Sequence, residues 1–277
     1  VQESVFIAGI SMSPLFPADH FANMPERVVF IAGANWSGST VTGAVLGANA
    51  DPLEYFHLGE VHSRFRPHGR LFGAQQSNAN LAKFWGKVDH KVGIENAYVE
   101  IQRCSKSKVL IDSSKGIGWL KVQRPVCEGL RIPLLPVVAF RRFAGIIGSA
   151  LSRNRNAEDA LDNVRYYRRL IDSGILGDNW IAVDTEDLVR NPAGLTKALC
   201  IASGIPYFVG KESYWNFPMA HLGGGRTQRK HRINPASGGY HLNQIREAEL
   251  PAAVADQLEG SGLLSLERWL KDKAIRE

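Results

Sequence analysis

Apolar positions along this chain fall into short unbroken runs separated by longer stretches whose apolar residues recur at helical spacing. Four runs have the length of strands: Val28–Ile31, Val109–Ile111 closing on Asp112, Leu134–Phe140 and Trp180–Val183. None alternates apolar with polar, so each is predicted to be buried on both faces, as strands of a parallel sheet are. Between them, Val41, Val45 and Leu46 mark a helix ended by Asp51-Pro52, and residues 81–106 read as helical. A further helix follows Arg141-Arg142 and carries Ser149 and Arg153, another starts near Pro192, and Leu263, Leu266, Trp269 and Leu270 line a C-terminal helix after a surface helix. Strands alternating with helices predict an α/β fold in three layers around a central parallel sheet, with ligands gathered at the carboxyl ends of the strands.

The first strand ends in the most informative turn of the chain. Gly33, four residues, Gly38 and then Ser39-Thr40 have the spacing of a P-loop, in which glycines let backbone N–H groups approach a phosphate at a helix N-terminus. Ser39 stands where a nucleotide triphosphatase has its lysine. The cradle is kept and the triphosphate grip is lost, which weighs against a P-loop kinase. Other strand ends also carry polar clusters: Ser113-Ser114-Lys115-Gly116, Arg141-Arg142, and Asp184-Thr185-Glu186-Asp187. The piece Glu54–His62 carries Glu60 between two histidines. Residues 64–80, polar and glycine-containing, read as an excursion covering an acceptor site, and Gly223–Arg232 as a glycine turn leading into a cation patch.

Composition narrows the ligand. The 277 residues are 44% hydrophobic and 22% charged, with a net charge of +6 and an isoelectric point near 9.3. The cations are scattered, without a basic arm or an RNA-binding aromatic signature, so a small polyanion is expected and nucleic acid is not. Cys104, Cys127 and Cys200 form no metal pattern and are read as structural. No apolar run reaches the length of a membrane span, and no leader pattern opens the chain, so a cytoplasmic location is expected. Because the chain begins at Val1, a processed leader or anchor is compatible with it. Without a repeat or linker, residues 1–277 are expected to form one domain, with 1–26 an arm on a core spanning 27–277.

Taken in order, these motifs resemble those of the sulfotransferases that use 3′-phosphoadenosine 5′-phosphosulfate, from about Val28 to the C-terminal region. Ser37-Gly38-Ser39-Thr40 resembles their 5′-phosphosulfate loop, with Trp36 at the position of a basic residue. Arg141 and Ser149, eight apart, resemble the 3′-phosphate motif, and Arg153 a further phosphate ligand of tyrosylprotein-type members. Thr185–Leu188 resembles a Tyr-Glu-Asp-Leu segment, and His221–Arg229 a loop of bacterial and carbohydrate-type members. The resemblance implies a P-loop-like fold, a cofactor site of Asn35, Trp36, Ser37, Gly38, Ser39, Thr40, Arg141, Ser149, Arg153, Arg229 and Lys230, and no metal.

It also implies chemistry. Sulfuryl transfer needs an in-line acceptor hydroxyl, a base for its proton, and positive groups around the transferred oxygens. Glu60 is the expected base, with His57 and His62 as rivals, and Lys115 is expected to reach the leaving phosphate oxygen unless it pairs with Asp112. The acceptor is a hydroxyl of a sugar, lipid, phenol or peptide tyrosine, chosen by residues in 64–80 and 210–222. A non-catalytic protein that binds the nucleotide or another anion is the alternative. Oligomeric state is left open.

Overall fold

The computed structural model describes residues 6–7, 10–11, 24–49, 55–58, 61–63, 65, 83–217 and 250–277. Near the start, β1 (Phe6–Ile7) and β2 (Ile10–Ser11) pair antiparallel. The main sheet has five strands: β3 (Arg27–Ala32), β4 (Tyr55–Leu58), β5 (Val109–Lys115), β6 (Leu134–Phe140) and β7 (Ile181–Asp184). They are ordered β4-β5-β3-β6-β7, and every pairing is parallel. The chain leaves β3 towards one side of the sheet and later returns to its other side at β6. That reversal opens a crevice at the carboxyl end of β3, where open α/β sheets bind ligands.

The side-chain period of two sends β3 into two cores. Val28, Phe30 and Ala32 pack on one face with α2 (Ala97–Ser105), α3 (Ile117–Gly129), α4 (Phe143–Leu151) and α5 (Ala157–Asp172), joined by α8 (Ala252–Gly260) and α9 (Leu263–Lys273). Val29 and Ile31 pack on the other face with α1 (Ser39–Gly47), α6 (Thr185–Arg190) and α7 (Pro192–Ser203). The expected three-layer α/β architecture with a central parallel sheet is what the chain adopts. Among the described residues, no helix is long and apolar enough to cross a membrane.

Local departures from the sequence reading have physical causes. Residues 81–106 do not form one helix: Gly93, at φ +87°, breaks the segment, with short 3-10 turns at His90–Val92 and Ile94–Asn96 before α2 begins. β5 runs on to Lys115 rather than stopping at Asp112, because the register against β3 slips between the pairs Phe30–Asp112 and Ala32–Lys115. Three residues of β5 there span two of β3, a bulge that turns the strand end. α3 contains Pro125 yet continues through it, and together with α5 it was not anticipated.

At that bulge sits Asp112, fully buried. Tyr98 Oη and Trp119 Nε1 donate to its Oδ2 at 2.7 and 2.8 Å, and the Ser114 amide and hydroxyl to its Oδ1 at 2.9 and 2.5 Å. Burial pushes its pKa above the ordinary carboxylate value while these donors pull it back. It is therefore a structural acceptor at the bulge within β5, not the partner of Lys115. All four partners donate, so Asp112→Asn presents an N–H group where an acceptor is required. The expected cost is roughly 1–3 kcal/mol, read as a lower urea midpoint at unchanged slope.

Candidate active site

The loop between β3 and α1 is held from outside itself. Gly33 N donates to Tyr166 Oη and Ala34 N to Tyr167 Oη, both at 3.2 Å, and Asn35 N to Asn163 Oδ1 at 3.0 Å. All three receivers lie on α5. The tyrosine hydroxyls pass the tie onward: Tyr166 donates to the carbonyl of Lys115 on β5, and Tyr167 to that of Ala139 on β6 at 2.9 Å. Burial pushes both phenol pKa values up, so the hydroxyls keep the protons they donate.

A second tie comes from the first residue of α6, just after β7. Thr185 Oγ1 donates to the Ser37 carbonyl at 2.7 Å, and Gly38, at φ +88°, lies against the same side chain. A Cβ at Gly38 would stand 2.7 Å from Thr185 Cβ, and one at Gly33 2.6 Å from the Ala139 carbonyl oxygen. Both glycines are thus required by close approach, as the P-loop spacing predicts.

The remaining amides of the loop are spent differently. Ser37 N turns back to Ala34 O at 3.3 Å, and the first amide in the ladder of α1 is Thr42 N, bonded to Gly38 O at 3.0 Å. Among the described residues no side chain caps α1 and no acceptor takes the amides of Gly38, Ser39 and Thr40, which lie at a positive helix end. Ser37 Oγ is buried without a partner among the described residues.

At the end of β6, Arg141 is buried, and its Nη2 donates to Ser149 Oγ at 2.5 Å and to the Gly145 carbonyl at 2.7 Å. The predicted pairing eight residues apart is a physical contact across the first two turns of α4. Arg141 Nε is buried with no partner among the described residues. Burial pulls the Arg141 pKa below its ordinary value, the neighbouring Glu186 carboxylate opposes this, and Arg153 and Arg142 reinforce it. A desolvated cation with an unused donor, crowded by like charges, is a receptor for an anion.

The first amide of α4 is engaged within the protein: Phe143 N donates to Glu267 Oε2 of α9 at 2.6 Å. Arg153 lies just beyond α4, donates through Nη1 to the Ser149 carbonyl at 2.7 Å, and sits over the Trp36 ring, 5.3 Å from its centroid. Glu186 is buried and paired with Arg142 at 2.8 Å and Arg190 at 3.2 Å.

Solved structures give this arrangement a context. No protein-family model and no curated protein matches the sequence. The sulfotransferase domain of the Synechococcus PCC 7002 olefin synthase matches in structure over 87% of this chain and 96% of its own, with a TM-score of 0.57 and 20% identity. The sulfotransferase domain from the curacin biosynthetic pathway matches over 86% of this chain and 98% of its own, with a TM-score of 0.55 and 14% identity. The fold is that of the sulfotransferases. A Mycobacterium avium sulfotransferase matches over 88% of this chain and 78% of its own, with a TM-score of 0.50 and 11% identity.

On this sulfotransferase fold, Asn35 to Thr40 share one loop, and Arg153 joins that loop, through Trp36, to Arg141 and Ser149. Lys115, at φ +67°, is linked to the loop through Tyr166. Glu60, Arg229 and Lys230 lie outside the described residues; Glu60 follows the end of β4, where Ser113 Oγ of β5 donates to the Leu58 carbonyl at 3.0 Å. His57 is on β4, and the His62 ring lies 6.5 Å from that of Trp119. Burial pushes the Cys127 thiol up to about 12 and those of Cys104 and Cys200 up to about 11, in keeping with a structural role.

Sequence reasoning did not find Asn163, Tyr166, Tyr167 or Glu267. The start of α5 had a signal, since Asn156 caps the Asp159 amide and acids fill the first turn.

Gly38→Ala combines a left-handed backbone with a clash against Thr185, whereas a Cβ at Gly118 of α3 meets nothing within 4 Å. We expect Gly38→Ala to lose roughly 1–3 kcal/mol of stability. Gly118→Ala should gain about 0.5–1 kcal/mol. Urea denaturation of the two variants beside the wild type checks both signs.

Proposed function

We propose that this chain transfers a sulfuryl group from 3′-phosphoadenosine 5′-phosphosulfate to the hydroxyl of an acceptor. The observation that carries the reading is the buried Arg141–Ser149 pair standing beside a phosphate loop with unused amides. The likeness to sulfotransferase domains supports it. Two anion receptors, one at the end of β3 and one at the end of β6, fit a ligand with two separated phosphate groups. The buried Arg141 Nε, without a partner among the described residues, fits it too, as a donor that such a ligand would satisfy.

The roles follow from position. Asn35 to Thr40 hold the 5′ end, with the amides of Gly38, Ser39 and Thr40 aimed at its oxygens. Arg141, Ser149 and Arg153 hold the 3′-phosphate, joined by Arg229 and Lys230. When bound, the donor supplies a sulfonate on a phosphate leaving group. Glu60 takes the proton of the acceptor hydroxyl, with His57 and His62 as the other bases in reach of this reading. The Lys115 ammonium meets negative charge on the leaving oxygen, which is where a preorganised cation contributes most. No metal is needed for these roles. The residues 33–40 contain no lysine, which disfavours a phosphoryl-transferring kinase. The acceptor is a hydroxyl of a sugar, lipid, phenol or peptide tyrosine.

Calorimetric titration with adenosine 3′,5′-bisphosphate, with and without magnesium, tests the reading. Magnesium-independent binding is expected, weakened by about 2–3 kcal/mol in Arg141→Ala, or roughly a hundredfold. Binding indifferent to Arg141 would overturn the assignment. Glu60→Gln should keep that binding and lose transfer of labelled sulfate from the donor.

A further inference from the structure

A cradle for phosphate that lacks a cation loses much of its grip, because amides supply only partial charges. Residues 33–40 include no lysine or arginine, and Trp36 stands in the turn between β3 and α1. Yet the loop is not without a cation. The Arg153 guanidinium lies over the Trp36 ring, with its carbon 5.3 Å from the ring centroid, within the range of a cation–π contact.

Two further observations show that the contact is built. Trp36 holds φ +64°, a left-handed conformation uncommon for a bulky residue, and its half-buried ring packs against the main core. The other side of Arg153 is fixed as well, since its Nη1 donates to the Ser149 carbonyl. The guanidinium is therefore braced between the phosphate loop and the residue that pairs with Arg141. Its remaining donors make no bond among the described residues, and a guanidinium carries five in a rigid fork.

We infer that Trp36 is a positioning residue for the bound anion, acting through Arg153: the indole holds the guanidinium beside the loop as a substitute for a loop lysine. The inference rests on the loop being the site of the donor's phosphate. It makes Trp36 a gain of charge by proxy, and it assigns Arg153 to both anion receptors.

Titration of wild type and variants with adenosine 3′,5′-bisphosphate and, separately, inorganic pyrophosphate tests it. Arg153→Ala should weaken binding about tenfold, and Trp36→Ala about three- to tenfold, the range of one cation–π contact. Trp36→Phe should keep most of the affinity, and it guards against misfolding by retaining a ring. Adding Trp36→Ala to Arg153→Ala should cost nothing further, and adding Trp36→Lys to Arg153→Ala should recover affinity. Unchanged affinity in Trp36→Ala, or losses that multiply in the double variant, would overturn the inference. If the wild type takes pyrophosphate with this pattern but not the nucleotide, the sulfuryl-donor reading falls and the role of Trp36 stands. If the wild type takes neither, both fall.

Discussion

Backbone amides that receive an anion must point into open space, so the loop that carries them cannot use them to hold itself. Everything else at the end of this sheet answers to that constraint. The loop after β3 is supported from its far side, where Tyr166 and Tyr167 each accept one loop amide and donate to the end of a neighbouring strand. Thr185, the first residue of α6, secures the next turn. The loop is thereby tied to the ends of β5 and β6 and to the start of α6, and among the described residues the amides of Gly38, Ser39 and Thr40 stay unspent. Preorganisation of this kind lets dipoles act on a charged ligand without rearranging when it arrives.

The same economy governs the acids. Carboxylates near a site for anions would oppose the ligand, and here they are engaged elsewhere: Glu186 by Arg142 and Arg190, Asp184 by the Glu186 amide, Glu267 by the Phe143 amide, and Asp112 by four donors. Arg141, by contrast, is bonded to neutral oxygens and keeps an unused Nε. Its charge is not neutralised by direct contact with an acid among the described residues. A dianionic phosphate is the natural complement of such a group.

How much of this could be read from the sequence depended on what each residue does. The central strands were legible because burial on both faces leaves a continuous apolar run, whereas the edge strand Tyr55–Leu58 carries a histidine and gives a weaker signal. Arg141 and Ser149 were legible because a fixed spacing at a strand end is local chemistry. Tyr166 and Tyr167 were not, since their hydroxyls act across 133 positions of sequence while the residues look like ordinary members of an amphipathic helix. Trp36 was noticed only as a missing charge. Its partner lies 117 positions away, at the far end of a helix, and only the fold brings the two together.

The C-terminal helix α9 does more than cover the core. Glu267 caps α4, Lys271 stands 3.7 Å from Asp184, and just after the helix the Ile275 amide bonds to the Ala182 carbonyl on the edge strand β7. This helix and the residues just after it therefore complete the surroundings of Ala182 and Asp184, and of Phe143 more than a hundred positions earlier. On the ribosome, Arg141 and the phosphate loop emerge long before the carboxylate that occupies the neighbouring helix end. A chain that has not yet reached Glu267 thus exposes an uncapped α4 amide two residues from Arg141, so the surroundings of that guanidinium depend on a helix encoded more than a hundred positions later.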